Sequence, residues 1–499
     1  MKERIEVIDY KYKMSSWTFI LFFVLSMLAP LSGVDLEFSL LKGSSIVEIW
    51  NSSTVTFSGA FVGRFFIYLF SSNKILFSLV FSFLMSSFVY FCNSFMGTIK
   101  NKYYYMFPIL FLLFVNYVFF SQSYFTVSFC VTYLLPSILI FSYFYHFYKE
   151  PKIDLSIKEI FLFFILHLLL PNISVFSGIL LICCDLFFFF YFYKAFKKFP
   201  FFFFIFLFVS MISLSTIAFS QDLFLELSST PFYSFSFIEK IKLKVSDFLS
   251  YTFTRNVFLQ IGMMIPINCY LYQKVKDKSY TRLVMVLFNF IPIFNIICQF
   301  YLLIPVNIHL IISQYDGIFS CDKWYFFFYW MVYFFLFVRS ISYFIKDRKP
   351  KIFLYFLIGS SMLLQFLIFV TPVWMDTYSS YFILSIILVT SVLLSKIEVP
   401  IFPKILKIFF YCSVFYFILI FMLMHYYDNT RVSYIESQLK EDKKTIVVKA
   451  LPIRYIYRYN PIYYDEIESF RKYYNIPGSK NINVKYIGIF EKIEKSVKN

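Results

Sequence analysis

Two carboxylates stand directly after the first apolar segment of the 499-residue sequence. Asp35 and Glu37 lie in the string SGVDLEFS, and the apolar segment before them ends at Gly33. A carboxylate at a membrane surface can remove the proton of an acceptor hydroxyl while the membrane holds a lipid-linked donor beside it. Two solvated loop acids are the simpler alternative, so the spacing makes Asp35 and Glu37 candidates for a general base without deciding between these interpretations.

Other polar residues in the same kind of setting could hold an anion. Arg64 lies in the mostly apolar string SGAFVGRFFIYLF, where a guanidinium either binds a group such as phosphate or reaches the lipid headgroups. Farther along, Asp222 and Glu226 are one helical turn apart, and Arg255 closes the same polar segment. These three side chains could bind a cation or a pyrophosphate, although acids beside a membrane are common.

One ionisable residue lies deep inside an apolar run. Asp185 occurs in LLICCDLFFFF, roughly 12 Å from the end of its predicted span, and such a residue is a functional candidate by default. His167 lies in the preceding predicted span, only roughly 5 Å from the same side. The difference in depth argues against a direct pair and favours a neutral or locally hydrogen-bonded Asp185. Arg339, near the end of its own span, is expected to reach the headgroups.

The composition identifies the elements that must position these residues. Hydrophobic residues make up 60% of the chain and charged residues 15%, whereas soluble proteins have about 45–50% and about 25%. Aromatic residues reach 24%, with 75 Phe, and the Phe runs such as 201–204 are expected to face lipid. The composition excludes a water-soluble protein and predicts an α-helical polytopic membrane protein.

Apolar segments of spanning length recur along the chain and predict about thirteen transmembrane helices. The predicted spans are 16–33, 75–95, 104–120, 126–147, 159–170, 177–193, 200–220, 256–273, 283–304, 324–345, 352–370, 379–395 and 405–426. Lys and Arg are concentrated in every second connection, which predicts a cytoplasmic N-terminus and an extracytoplasmic C-terminus. The short fifth span could instead be re-entrant.

Three segments on the outer side are long enough to hold chemistry. They are 34–73, 221–255 and the tail 427–499, so the chain divides into a transmembrane domain, 1–426, and an extracytoplasmic C-terminal domain. Apolar residues at helical spacing in 237–249 predict a helix in the outer membrane interface. The tail contains two predicted strands, in TIVVKALP and VKYIGIF, with a predicted helix in DEIESFRKYY and a predicted turn in IPGSKN between them. These elements predict a small α/β domain.

Several functional classes are disfavoured by the same sequence. The formal charge is +17, but most Lys and Arg residues lie in short clusters between apolar segments and indicate topology, with no nucleic-acid partner. The eight cysteines form no C-x-x-C pair, which argues against a disulfide framework or a cysteine metal site. Neither a P-loop nor a G-x-G-x-x-G string occurs, so nucleotide hydrolysis by this chain is not expected.

The chain resembles the GT-C class of integral-membrane glycosyltransferases, including bacterial members that modify surface polysaccharides. In that class an acidic motif opens the first outer loop, and VDLEFS is similar to it, with Leu36 separating the two acids. Gly63 and Arg64 resemble the second half of a Trp-Asn-Gly-Arg-like string, from which Phe61 and Val62 depart. The tail strings NTRVSYIESQLKEDKKTIVVKALP and FRKYYNI are similar to the outer domain of several such proteins.

The resemblance implies an enzyme of a bacterial plasma membrane that moves a sugar from a polyprenyl-phosphate-type lipid donor to a cell-surface glycan. Asp35 or Glu37 would be the general base, and Arg64 would hold the carrier phosphate. Asp222, Glu226 and Arg255 would be further substrate-binding residues; no cofactor is required, although a divalent cation is compatible with the site. A polysaccharide polymerase or ligase, a lipid-linked glycan flippase or transporter, and a membrane scaffold are the alternatives.

Overall fold

The computed structural model describes residues 2–30, 61–97, 99, 101–118, 126–218, 236, 239, 257–274, 278–302, 324–367, 375–397, 402–449, 471–472 and 474–485. Helices dominate these residues, and a two-stranded sheet follows the last of them. The helices are α1 Lys2–Leu28, α2 Phe61–Ser72, α3 Lys74–Met96, α4 Phe107–Val118, α5 Val127–Lys149, α6 Ile157–Ile173, α7 Val175–Phe196, α8 Phe201–Ala218, α9 Val257–Lys274, α10 Lys278–Leu302, α11 Trp324–Phe344, α12 Arg348–Leu367, α13 Met375–Lys396 and α14 Phe402–Lys440.

Four of these helices are long and apolar enough to cross a membrane by themselves. They are α3, α5, α7 and the Lys404–Lys440 part of α14. Shorter apolar helices lie within α8, α10, α11 and α13 and at Lys102–Phe114, which includes the start of α4. Phe, Leu and Ile side chains on the outer faces of the helices are exposed, as expected of surfaces in contact with lipid acyl chains. The protein is therefore a helical membrane protein.

Lysines from several connections gather at one end of the bundle, where their ammonium groups lie over tyrosine rings. The pairs, with distances from Nζ to the ring centre, are Lys11–Tyr105 (5.6 Å), Lys102–Tyr10 (5.7 Å), Lys407–Tyr103 (5.5 Å), Lys349–Tyr148 (4.9 Å) and Lys346–Tyr343 (5.0 Å). Two further contacts join these groups: Tyr148 packs on Phe95, and the Tyr104 hydroxyl donates to the Ile397 carbonyl. We call this end, which carries the N-terminus, the basic end.

Helix α1 begins at Lys2, well before the predicted span at Ser16, because the charged N-terminal segment continues the helix on the basic end. It pairs with α3 in the antiparallel direction, with Phe22 against Phe81. At the far end of this pair the Lys74 ammonium donates to the Ala29 carbonyl at 2.8 Å, and the cation thereby satisfies the C-terminus of α1. We call this end of the bundle the opposite end.

A single residue, Ser174, joins α6 to α7 at the opposite end. Its backbone is extended, and the Ser177 hydroxyl lies 2.5 Å from the Leu170 carbonyl oxygen and 2.6 Å from that of Ser174. A Cβ on Gly178 would lie 3.1 Å from the Pro171 side chain, so the two helices approach closely here. Helix α6 is also longer than the predicted span 159–170, because the Ser156 capping box starts it early and it continues through Pro171.

The phenylalanine run 201–204 does not face lipid as a whole, contrary to the prediction. Phe203 is fully buried and packs on Phe147 and Phe188 at ring distances of 4.8 and 5.7 Å, whereas Phe201 and Phe204 are exposed. Consecutive residues of a helix point about 100° apart, so a run of identical residues covers both a core face and a lipid face.

Helix α14 passes the predicted domain boundary at residue 426 and ends at Lys440, where a small parallel sheet begins. Strand β1 (Thr445–Lys449) confirms the strand predicted in TIVVKALP, and it pairs with β2 (Asn481–Lys485). Strand β2 begins three residues before the predicted second strand. The Gln438 amide holds β1 on α14, because its Nε2 donates to the Val447 carbonyl and its Oε1 accepts from the Val447 N–H.

Candidate functional site

Three polar side chains from different helices meet in the interior of the bundle. The Tyr143 hydroxyl of α5 donates to Asp185 Oδ1 of α7 at 2.7 Å, and His167 Nε2 of α6 lies 3.1 Å from both carboxylate oxygens. The Asp185 and His167 side chains are completely buried, and Tyr143 is nearly so. We call Tyr143, His167 and Asp185 the interior cluster.

The direct contact between His167 and Asp185 corrects the sequence prediction that their depths differ too much for pairing. Both α-carbons lie at different distances from Ser174, as expected, but every Cα–Cβ bond of a helix tilts toward the N-terminus of that helix. Helices α6 and α7 are antiparallel, so the His167 side chain leans away from the Ser174 turn while the Asp185 side chain leans toward it. The two tilts together with the side-chain lengths close the gap.

The hydrogen bonds of the cluster determine which ring nitrogen of His167 carries a fixed proton. His167 Nδ1 lies 2.5 Å from the Phe163 carbonyl oxygen, one turn earlier in α6. A carbonyl oxygen only accepts, so Nδ1 must be the donor of this bond. The Nε2 side of the ring therefore faces the Asp185 carboxyl with either a second proton or a lone pair.

Aromatic rings enclose the interior cluster. Phe206 of α8 stacks on the His167 imidazole at 4.7 Å with an interplanar angle of 21°, and Phe163 and Phe188 meet the Tyr143 ring edge to face. Such rings exclude water and lower the local dielectric constant, which strengthens hydrogen bonds within the cluster and makes any net charge there costly.

A second histidine–carboxylate pair lies between the interior cluster and the basic end. His146 Nε2 of α5 is 3.1 Å from Glu159 Oε1 of α6, and Lys152 Nζ is 2.5 Å from the same oxygen. These side chains are partly exposed, unlike the interior cluster. The Phe163 and Phe147 rings each contact the rings of both His146 and Tyr143, so two aromatic side chains separate the two polar groups.

On the other side of the cluster, a small cleft opens near the Ser174 turn. Helix α5 widens there to a π-helical turn at Cys130–Leu134, a feature that is frequent at functional sites. The cleft is lined by Thr132, Tyr133, Pro136, Ser137, Ile140, Ser174, Phe176, Ser177, Leu180, Leu364 and Tyr381. Six of these residues, Thr132, Tyr133, Ser137, Ser174, Ser177 and Tyr381, carry hydroxyl groups.

Of the site residues predicted from sequence, the structure describes Arg64. It lies in α2, half-buried, beside Gly63, at which a Cβ would be 3.0 Å from the Ile173 carbonyl oxygen at the end of α6. Arg64 thus belongs to the opposite end, as does Lys74, which sequence reasoning overlooked. Asp35, Glu37, Asp222, Glu226 and Arg255 lie outside the described residues, so their predicted convergence with Arg64 stays a prediction.

The predicted interfacial helix at 237–249 also lies mostly outside the described residues. Ser236 and Glu239 form the reciprocal bonds of a capping box, in which the Glu239 carboxylate accepts from the Ser236 N–H at 2.8 Å. This pattern is typical of a helix N-terminus. Among the described residues, no three His, Cys, Asp or Glu side chains come together as metal ligands.

Tyr143 is the member of the interior cluster that the sequence did not reveal. It lies in FSYFYHFYK, where every position is aromatic or polar and the pattern does not separate the residue facing Asp185 from its neighbours. The usable signal was Asp185 itself, because a buried carboxyl needs donors from neighbouring helices.

No protein-family model matches the chain, and no curated protein or solved structure shows detectable similarity to it.

Proposed function

We propose that this protein is a membrane glycosyltransferase that moves a sugar from a polyprenyl-phosphate-type lipid to a cell-surface glycan. The reaction takes place at the opposite end of the bundle, on the outer face of a bacterial plasma membrane. Asp35 or Glu37 acts as the general base toward the acceptor hydroxyl, and Arg64 holds the phosphate of the donor. Asp222, Glu226 and Arg255 contribute further contacts, and a divalent cation is optional.

One observation carries this proposal: two cationic side chains lie at the end of the bundle where the segment with the two acids leaves α1. Lys74 binds the Ala29 carbonyl, and Asp35 and Glu37 follow Ala29 by only six and eight residues. The Arg64 guanidinium offers a planar, two-pronged donor for phosphate oxygens, and an ammonium adds a point charge. A donor phosphate at the headgroup level would meet both groups beside a general base.

The finer topology is part of the proposal. We propose thirteen spans, α1 and α3 to α14, with the basic end in the cytoplasm and the C-terminal domain 427–499 outside. The gathering of lysines at the basic end supports this orientation, since cytoplasmic connections are enriched in Lys and Arg. A reporter enzyme that works only outside the cytoplasm should be active when it is fused after Asn499. Activity of a reporter that works only in the cytoplasm would contradict the odd number of spans.

The catalytic proposal is tested by sugar transfer in membranes that contain single variants. Asp35→Asn or Glu37→Gln should reduce turnover about 10²–10⁴-fold if the changed residue is the base. Arg64→Lys keeps the charge but loses the two-pronged contact, so donor binding should weaken. Arg339→Lys is the matched control, because Arg339 is an exposed arginine near the C-terminus of α11, which lies at the basic end and far from the proposed site. Full activity in both carboxylate variants would rule out the mechanism.

A lipid-linked glycan flippase or transporter is the second candidate, and the interior cluster is the observation that favours it. Ionisable residues in the middle of a helical bundle often belong to transport pathways. In that case Asp185→Asn would abolish function, while the Asp35, Glu37 and Arg64 variants would be tolerated. The same set of variants therefore separates the two candidates.

A further inference from the structure

We propose that the interior cluster is a proton-binding site that exchanges its proton with the basic end through the His146–Glu159 pair. The ligand is a single proton, shared between His167 Nε2 and the Asp185 carboxyl. This inference goes beyond glycosyl transfer and does not depend on it, because it concerns a different part of the bundle. It is carried by the hydrogen-bond partners of the three side chains and by the arrangement of the two histidine–carboxylate pairs.

Counting donors and acceptors fixes the number of protons in the cluster. The proton on His167 Nδ1 is used by the Phe163 carbonyl, and the Tyr143 hydroxyl proton is used by Asp185 Oδ1. The contact between His167 Nε2 and the carboxyl oxygens needs one proton more, since two lone pairs facing each other would repel. The cluster thus holds one proton that is not fixed by any other partner.

This proton has two positions of equal total charge. In one form His167 is an imidazolium and Asp185 a carboxylate; in the other the Nε2–H bond has broken, an O–H bond has formed, and both groups are neutral. Nε2 is equally far from both carboxylate oxygens, at 3.1 Å, so either oxygen can receive the proton. Neither form leaves a net charge among the aromatic rings. An uncompensated buried charge is the state that burial penalises most.

The His146–Glu159 pair provides the next proton-binding groups toward the basic end. Tyr143 and His146 are three residues apart on α5, a rise of about 4.5 Å, and Phe163 lies one turn from both Glu159 and His167 on α6. The Phe163 ring packs between the two pairs. The Phe147 ring also contacts both Tyr143 and His146, so these two rings form the barrier between the interior cluster and the partly exposed Glu159. Rotation of the Phe163 ring would let one water bridge the two pairs.

The other groups around the cluster offer no comparable route toward the basic end. Within the described residues, the remaining titratable neighbours are Cys183 and Cys184 on α7 and Tyr381 on α13, and Tyr381 lies toward the cleft. Helices α8 and α12 contribute phenylalanine rings. Exchange through the hydroxyls of the cleft is the alternative, and the experiment distinguishes it.

The chain has four histidines, so nuclear magnetic resonance of the full-length protein with ¹⁵N-labelled histidine in lipid nanodiscs gives a tractable spectrum. His167→Gln assigns the His167 signals. One-bond and two-bond couplings between the ring ¹⁵N nuclei and ¹H should show a permanent proton on His167 Nδ1 and a second, shared proton at His167 Nε2. The rate at which the Nε2 proton exchanges with solvent is then measured by magnetisation transfer from water or by transfer into ²H₂O.

We expect the Nε2 proton of His167 to exchange at least about tenfold faster than the backbone amides of α6, because local opening of a buried helix is slow. Glu159→Gln, which retains a capping side chain, and His146→Phe should each slow this exchange about tenfold or more. Glu150→Gln is the matched control, since Glu150 is an exposed carboxylate beside the same Lys152. It should leave the rate unchanged.

Three outcomes would overturn the proposal. One is an Nε2 proton that exchanges no faster than the amides of α6, which is the result expected of a purely structural cluster. Another is exchange that is insensitive to both Glu159→Gln and His146→Phe. The third is exchange slowed by Ser137→Ala in the cleft instead, which would place the route at the opposite end. The wild-type measurement alone decides the first outcome, even if a variant fails to fold.

Discussion

The interior cluster and the junction between α14 and the tail are built from the same kinds of polar contact but lie in different surroundings. In the interior cluster, Tyr143, His167 and Asp185 are enclosed by aromatic rings. At the tail junction, Arg431 of α14 donates to Asp428 and, at 3.1 Å, to the Tyr474 hydroxyl, and Asp428 is partly exposed. Asp428 also lies near Lys74, so the junction is continuous with the opposite end of the bundle.

The comparison shows how access to water changes the role of a hydrogen bond. At the junction Arg431 is buried, but Asp428 and Tyr474 are partly exposed, so water can replace Arg431 as their partner when its bonds are lost. In the interior cluster, no water replaces a lost partner, so each remaining donor or acceptor bears its full desolvation cost. Loss of one contact should therefore have a large effect in the interior cluster, a moderate one at Arg431 and a small one at the exposed turns of the tail.

The largest effect is expected at Asp185. Asp185→Leu leaves the Tyr143 hydroxyl and His167 Nε2 without their partner, and the free energy of unfolding should fall by about 2–4 kcal/mol. Asp185→Asn keeps an acceptor for Tyr143 and offers an N–H to the neutral ring, so its loss should be about 1 kcal/mol or less. Reversible unfolding in mixed micelles measures both values. Equal losses of unfolding free energy in Asp185→Leu and Asp185→Asn would show that the hydrogen bonds of Asp185 do not stabilise the fold.

A moderate effect is expected at the tail junction. Arg431→Leu removes two hydrogen bonds of a charged donor, and the docking of the tail on α14 should weaken by about 1.5–3 kcal/mol. Hydrogen–deuterium exchange of β1 and β2 should then accelerate, while α3 and α7 keep their protection. The control Arg471→Leu removes an arginine whose side-chain hydrogen bonds, among the described residues, go to the backbone carbonyls of the exposed turn at Pro477 and Gly478. A global loss of protection in Arg431→Leu would contradict a local role.

The smallest effect is expected at Asp442, which precedes β1. The Lys480 ammonium donates to its carboxylate at 2.7 Å, and this bond lowers the pKa of Asp442 below its usual value. A lowered pKa stabilises the folded tail above the unfolded-state pKa of about 3.9, and this contribution is lost as the pH falls through the folded-state pKa. Exchange of β2 amides, corrected for intrinsic rates, should rise as the pH falls below about 4 in the wild type and rise less steeply in Asp442→Asn.

The sequence predicted the helical membrane class and the strand in TIVVKALP because these depend on local composition and periodicity. It placed the ends of several helices wrongly: the Ser156 capping box lengthens α6, and α14 continues past its apolar run to Lys440. The pairing of His167 with Asp185 could not be found from depth along the spans alone. It depends on the direction of two side chains, and the contribution of Tyr143 depends on how α5 packs against both helices.

The connection of α6 to α7 through Ser174 also has a consequence for biosynthesis. Helix α6 carries Lys158, Glu159 and His167, and it does not qualify as a spanning helix by its own length and composition, whereas α7 does. When a single helix moves from the translocation channel into lipid, its polar side chains lose water without gaining a partner, which is energetically costly. Because one residue joins the helices, we expect α6 and α7 to enter the lipid together as a hairpin, in which His167 and Asp185 can pair during insertion. The Ser174 connection thus makes α7 the insertion partner of the weaker helix.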